Sequence, residues 1–495
     1  MKKIIIIGAG IAGLSSGIYA RLNGFDVEIF EMHSEPGGEC TGWQRGEYHF
    51  DNCIHWLVGS KKGTPLYKLW ETIGALDDSI DIINNDKFIS YDSGNSIVHI
   101  YRNLDRLEKH LLEVAPEDKK MIIEFCKDAK RVTKLDMPVE KPFDMFTKKD
   151  LFKMIFKMLP IAKTMQKYEK ISLAELIEKF KNPELKIAIK AMIPSNFKAF
   201  ALLSTLASMH ANDSGWPAGG SLALAKRVAD KFLSLEGKIN YKTRVEEIII
   251  KDGVAKGIKL LDGSIHYADY IIAATDAHEV IFDLLGGKYV DDTINTLFTD
   301  NKTYPIYSSV YVSMGIEANL SNYPHTLYFK LKNSIDAGGI RHDYVGMKHY
   351  CFEPSFAPKD NSVLIALLVA DYDWWAEKKK NPADYKAEKE RIASEVAAAC
   401  KEKFPEIKGN IKKIDVATPM TYVRYCNAYR GAWMSFGITP AAKIRFITGI
   451  LPGLENFYLT GQWLLPPGGL PTAVMTGNWT VQRICKKENI KFNGQ

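Results

Sequence analysis

Lys3-Ile-Ile-Ile-Ile-Gly8-Ala-Gly10-Ile-Ala-Gly13 is the stretch on which the fold turns. Ile4 to Ile7 are β-branched and apolar without alternation, the pattern of a short strand buried on both faces of a parallel sheet. Residues 12–23 continue at helical spacing, and residues 26–31 (Asp-Val-Glu-Ile-Phe-Glu) read as a second strand. Together they make a βαβ unit of about thirty residues. The first glycine makes the tight turn, the second lets backbone approach a pyrophosphate, and the third lets helix and strand pack closely. Gly17 continues the small-residue face of the helix. The helix N-terminus offers unpaired N–H groups and a partial positive charge to phosphates. Glu31 ends the second strand, 18 residues after Gly13. A carboxylate there accepts hydrogen bonds from ribose hydroxyls and repels a 2′-phosphate. The unit therefore predicts a bound dinucleotide, with Gly8, Gly10, Ile11, Ala12, Gly13, Glu31 and Met32 around its ADP half.

The next residues, His33-Ser-Glu-Pro-Gly37-Gly38-Glu39-Cys40, do not run into another helix, as a simple nicotinamide-dependent dehydrogenase would. Two consecutive glycines beside a nucleotide suggest backbone passing close to a cofactor. No second glycine fingerprint follows residue 100, so the sequence supports one dinucleotide. Electrons must then come from, or leave to, a partner that docks transiently.

Several motifs, in order along the chain, resemble the phytoene desaturase, carotenoid isomerase and retinol saturase group of flavoproteins. They are Pro36-Gly37-Gly38, Tyr48-His-Phe-Asp51, Ile54-His55-Trp56-Leu-Val-Gly59, Pro217-Ala-Gly219-Gly220-Ser221, Thr243-Arg244-Val245-Glu246, Asn456-Phe-Tyr-Leu-Thr-Gly461, and Pro467-Gly468-Gly469-Leu-Pro471. The resemblance implies FAD as the cofactor. It implies an α/β fold: a doubly wound, Rossmann-like FAD domain of the glutathione-reductase or amine-oxidase type, with an interleaved α+β substrate domain. It implies desaturation or saturation of carbon–carbon bonds in an apolar carotenoid, retinoid or related lipid. Flavin-assisted isomerisation without net redox, amine oxidation, and a flavin-free prenyl-binding escort role remain as alternatives. On this reading the Val245 backbone lies at the adenine, Thr275 also binds the cofactor, and Gly461, Gln462, Gly468, Gly469 and Leu470 lie at the flavin side. The helix after Gly469 points its N-terminus at a reduced flavin. Two positions depart from the family pattern. Glu39 stands where Arg is common, with Arg45 the cation available to offset it, and Gln462 offers a neutral amide to a ribityl or phosphate oxygen.

The 495 residues suggest two or three domains. Segments 1–86, 212–290 and 450–495 are assigned to the FAD domain, and 87–211 and 291–449 to the substrate domain. Hairpin strands are expected at 87–101, three strands over 244–273, and a helix at 382–403. Net charge is only +6, too dilute for a nucleic-acid partner. Seven scattered cysteines without a CxxC pair fit a reduced, cytosolic compartment. The glycines interrupting the N-terminal apolar run argue against a signal peptide, and no run approaches a membrane span. There is no HExxH or histidine ligand spacing for a metal and no GxSxG elbow. His55 is the candidate acid–base residue. Tyr422, Arg424, Tyr425, Tyr429, Arg430 and Trp433 are read either as pocket lining or as a half-buried sheet edge. Residues 148–170 alternate lysines with Leu151, Phe152, Ile155 and Phe156, and Pro160 marks a break. That composition suits a helix on the inner face of an anionic membrane, or a solvated helix capping the substrate domain.

Overall fold

The computed structural model describes residues 1–135 and 138–494. The opening stretch forms the strand Lys3–Ile7 and the helix Ile11–Leu22. The strand pairs in parallel with Asp26–Phe30 on one side and Tyr270–Ala273 on the other. Lys238–Asn240 and Phe457–Leu459 complete a five-stranded parallel sheet. Successive strand residues face opposite sides. Ile4 and Ile6 therefore join one core, and Ile5 and Ile7 another. None of the four is more than 5% exposed, and each contributes about 1.5–3 kcal/mol by its burial.

The first core lies under the helices Ile11–Leu22, Gly220–Ser234 and Leu470–Lys487. The other face is covered differently from a simple doubly wound fold. An antiparallel meander, Val245–Lys251, Val254–Leu260 and Ile265–Tyr267, packs there. That core also takes in Leu297, Phe298, Phe436, Ile447 and Leu451. The single strand expected over 264–273 is thus two strands in two sheets. The chain changes partner between them: Ala268 N–H donates to Lys256 O, and Asp269 N–H to Lys3 O.

A second, seven-stranded sheet among the described residues runs in the order Ile411–Ala417, Ser308–Ile316, Ser362–Ala370, Arg341–His349, Thr326–Asp336, Lys87–Asp92, Ile97–Tyr101. The expected hairpin at 87–101 forms its end, and the helix Pro382–Lys403 packs on one face. Residues 104–210 are mostly helical around a core that includes Phe125, Tyr168 and Leu203. The 148–170 segment is two helices, Lys148–Met158 and Ala162–Glu169, parted at Pro160. A Thr147–Asp150 capping box starts the first of them.

Candidate functional site

Where the parallel strands end, their loops open a cleft of about 670 Å³. This is the crevice side on which ligands bind in open α/β sheets. Its first wall is the glycine turn. A Cβ on Gly13 would sit 2.0 Å from the Gly8 carbonyl oxygen, so helix and strand can only meet here as backbone. Gly37 and Gly38 adopt φ values of +113° and +60°, which side-chain-bearing residues rarely hold. Gly37 N–H donates to Ala9 O at 2.9 Å, laying the Gly-Gly loop against Gly10. The helix Ile11–Leu22 has Gly10 at its N-cap and no side-chain cap, which leaves N–H groups for a ligand.

Glu31 is buried at the end of the second strand. Its carboxylate accepts from Ala9 N–H (2.7 Å) and His33 N–H (2.8 Å), one bond on each oxygen. A carboxylate has about four acceptor positions, so each oxygen keeps one lone pair for a sugar hydroxyl. Ile7, Met32, Val245 and Thr275 line the same region.

At the other end of the cleft stand Gly461, Gln462, Gly469 and Leu470. The helix Leu470–Lys487 also lacks a side-chain cap, so two helix N-termini open on one space. Gln462 is a clamp rather than a free amide. Its Nε2 donates to Glu39 Oε2 (3.0 Å), and its Oε1 accepts from Gly469 N–H (3.1 Å). Arg45 lines the rim but does not offset Glu39, because Asp415 holds its guanidinium at 2.6 Å. Burial answers the charge instead. Desolvation, with the nearby Asp276 carboxylate, raises the Glu39 pKa to about 8. Desolvation also raises Asp276 to about 7, against hydrogen bonds from Tyr429 and His278 N–H that favour its ionised form. At neutral pH Glu39 is mostly a protonated acid, able to donate to a phosphate oxygen rather than repel it.

Of the candidate cofactor residues, Gly8, Gly10, Ile11, Ala12, Glu31, Met32, Gly37, Gly38, Glu39, Arg45, Val245, Thr275, Gly461, Gln462, Gly469 and Leu470 line this cleft. Gly13 and Gly468 lie behind it. Gly468 sits at φ +85°, where a Cβ would meet Ser435 Oγ at 2.8 Å. Sequence reading missed Asp276, although an acid just past the C-terminal end of a parallel strand points at the crevice. Tyr422, Arg424, Tyr425 and Trp433 reach the cleft, the first three on the helix Pro419–Cys426 and not on a sheet edge. Tyr429 stacks on His278, and Arg430 pairs with Asp373.

His55 is elsewhere. Cys53 faces the cleft, but His55, two residues on, does not line it. Desolvation and the charge of Lys348 bring its pKa down to about 3. The ring is therefore neutral near pH 7, the form that accepts a proton.

Bare glycine backbone, two uncapped helix N-termini and a buried acceptor in one elongated space fit a dinucleotide whose phosphates meet N–H groups. The fold and the cleft define a Rossmann-like dinucleotide-binding architecture. A family model described as NAD(P)-binding Rossmann-like domain matches residues 6–73. The whole chain is similar to solved structures of an oxidoreductase from Methanosarcina mazei (TM-score 0.62, 17% identity, 97% of this chain and 100% of that one) and of putrescine oxidase (0.61, 11%, 98% and 99%).

Among curated proteins it is 23% identical to prolycopene isomerase 1 of an Oncidium hybrid cultivar, over 97% of this chain and 83% of that protein. It is 23% identical to all-trans-retinol 13,14-reductase of Danio rerio (98% and 86%). It is 22% identical to a 4,4'-diapophytoene desaturase of a Methylomonas species (99% and 96%). The resemblance to the desaturase, isomerase and retinol saturase group therefore extends over nearly the full length of the chain.

Proposed function

We propose that this chain is an FAD-dependent oxidoreductase that introduces or saturates carbon–carbon double bonds in an apolar, unsaturated substrate such as a carotenoid, retinoid or related lipid. The carrying observation is the convergence on one cleft of Gly10 and Gly37-Gly38 backbone, the buried Glu31 and two uncapped helix N-termini. FAD held there supplies hydride transfer. The chain supplies the rest. N–H groups at Ile11 and Ala12 take the pyrophosphate, Glu31 the ribose, and the Val245 backbone the adenine. The Leu470 helix end and the Gln462 clamp fix the opposite end, where Tyr422 and Trp433 exclude water. Full-length relatives named as a retinol reductase and a diapophytoene desaturase support chemistry at carbon–carbon bonds.

The test is anaerobic incubation of the flavin-loaded protein with a panel of polyenes and unsaturated lipids. Flavin bleaching or reoxidation, with a product changed by one pair of hydrogens, is expected. A rearranged product of unchanged mass makes the protein an isomerase, as one of its relatives is named.

The helix Lys148–Met158 buries none of its side chains, and Phe152 and Phe156 are 71% and 67% exposed beside Lys149 and Lys153. We propose that this face rests on anionic lipid, from which an apolar substrate is drawn. No helix among the described residues is long and apolar enough to cross a membrane. Sedimentation with vesicles containing phosphatidylserine is expected to exceed that with phosphatidylcholine alone, and Phe152→Ser with Phe156→Ser to abolish it. Equal pelleting with both vesicles overturns the idea.

A further inference from the structure

Behind the cleft wall lies a second group of charged and aromatic side chains that the dinucleotide does not use. Lys348, on the strand Arg341–His349, sends its ammonium over the Tyr350 ring at 4.6 Å, with Phe352 at 5.8 Å and Trp216 at 6.0 Å. His325 packs on Phe352 (ring centroids 5.8 Å), and Trp56 on Phe88 (5.3 Å). These residues come from the loop after Asp51, the strand Ser214–Pro217, two strands of the larger sheet (Lys87–Asp92 and Arg341–His349) and the loops beside them that carry His325, Tyr350 and Phe352. Tyr350 ties the group to the strand Tyr48–Asp51 by donating to Asp51 O at 3.0 Å.

The group is not fully packed over. His55 keeps accessible surface, and Lys348, His325, Phe352, Trp56 and Phe88 keep part of theirs. Yet desolvation lowers His55 to about 3 and Lys348 to about 8. The cluster of rings around the ammonium is therefore partly open, and its polar groups are poorly hydrated.

The charge in this space is lopsided. The largest charge effects on His325 come from Lys348, His349, Arg102 and Lys87, all of them basic. Arg102 is buried, gives one N–H to Asn84 Oδ1 at 2.7 Å, and has no partner for its Nε. Asp51 is the one carboxylate felt by Lys348. It is already taken by Ser221 N–H, Ser221 Oγ and Cys53 N–H, and it makes no ion pair with Lys348 within 4 Å among the described residues. Ring faces alone leave a half-buried, poorly hydrated ammonium without an anion.

We propose that this chamber receives the carboxylate of an unsaturated acid: the substrate is an apolar, unsaturated chain ending in a carboxyl group, and Lys348 is its ion-pair partner. The proposal rests on the redox reading for the fate of the chain and on the chamber alone for the head group. Aromatic walls formed by Trp56, Phe88 and Trp216 suit the conjugated or methylene-interrupted segment next to the carboxyl. Lys348 is a specificity-determining residue here, with no part in bond making.

The experiment is equilibrium titration of the flavin-loaded protein with parinaric acid, a fluorescent conjugated polyene acid, and with its methyl ester. The acid is expected to bind about thirtyfold or more tightly than the ester, the usual loss when one partner of a buried charge pair is removed. Lys348→Met is expected to bring the acid down to the ester's affinity and leave the ester unchanged, while Lys348→Arg retains the preference. Equal affinity of acid and ester in the unmodified protein overturns the proposal without recourse to any variant. An unaltered preference in Lys348→Met overturns it as well. Flavin absorbance read in the same samples keeps the two conclusions apart. A yellow protein without acid preference refutes the head-group site only, and a colourless one that prefers the acid refutes the flavin assignment only.

Discussion

The dinucleotide cleft and the inner chamber are neighbours built from opposite materials. The cleft is made of backbone. Its decisive positions are glycines at Gly8, Gly10, Gly13, Gly37 and Gly38, and its donors are main-chain N–H groups at two helix starts. The chamber is made of side chains: one ammonium, a guanidinium, histidines and five aromatic rings brought in from distant parts of the chain. Backbone donors cost little to expose in an empty cleft, since water replaces the ligand. A half-buried, poorly hydrated ammonium is different. Ring faces return about 2 kcal/mol to a desolvated cation, whereas burying it costs several kcal/mol. The cleft tolerates being empty, and the chamber asks for an anion.

The largest effect is expected where the cleft has no slack. Gly13→Ala places a methyl 2.0 Å from the Gly8 oxygen, and backbone cannot yield as a long side chain can. Flavin retention through gel filtration should fall to background. Retention at the unmodified level breaks the claim that close backbone approach shapes the cleft.

Glu31→Ala comes next. It removes the acceptor of Ala9 and His33 N–H as well as the sugar contact. Hydrogen bonds to a charged group are worth about 1.5–3 kcal/mol, so FAD affinity should drop roughly ten- to hundredfold in a fluorescence titration.

The smallest effect is one of pH on the flavin-stripped protein. Glu39 and Asp276 have folded-state values of about 8 and 7, above the ordinary 4.5 and 3.8. The folded state holds their protons more tightly than the unfolded chain does. Their contribution is therefore fully present below about pH 4 and is lost as pH rises through about 8. Glu39→Gln should flatten the fall of Tm between pH 5 and 8 by a few degrees, and an unchanged slope would place the buried charge elsewhere.

The same contrast explains what the sequence made legible. The cleft was readable because its chemistry sits at fixed spacing. Gly8, Gly10 and Gly13 fall within six residues, and Glu31 one strand later. Glycine and backbone geometry are local properties. The helix at 382–403 and the hairpin at 87–101 were legible for the same reason, through periodicity and turn residues. The division of 264–273 between two sheets was not, because Ala268 and Asp269 change partners according to tertiary pairing. Arg45 could not be placed either. Its partner Asp415 lies far along the chain, and no spacing rule connects them. His55 drew attention as a lone histidine near Asp51, but its neutrality comes from desolvation and then from the charge of Lys348, both of which only the fold supplies. The chamber is invisible in the sequence because Trp56, Phe88, Trp216, His325 and the Lys348–Phe352 stretch come together only in the fold.

One measurement bears on the cleft most directly: parallel binding of FAD, FMN and NAD to purified, flavin-stripped protein by equilibrium dialysis. A cleft that grips phosphates with helix ends and ribose with Glu31 predicts tight, stoichiometric FAD binding, weak FMN binding because the ADP half is missing, and ADP competing with FAD. FMN binding as tightly as FAD, or NAD in preference to both, contradicts it.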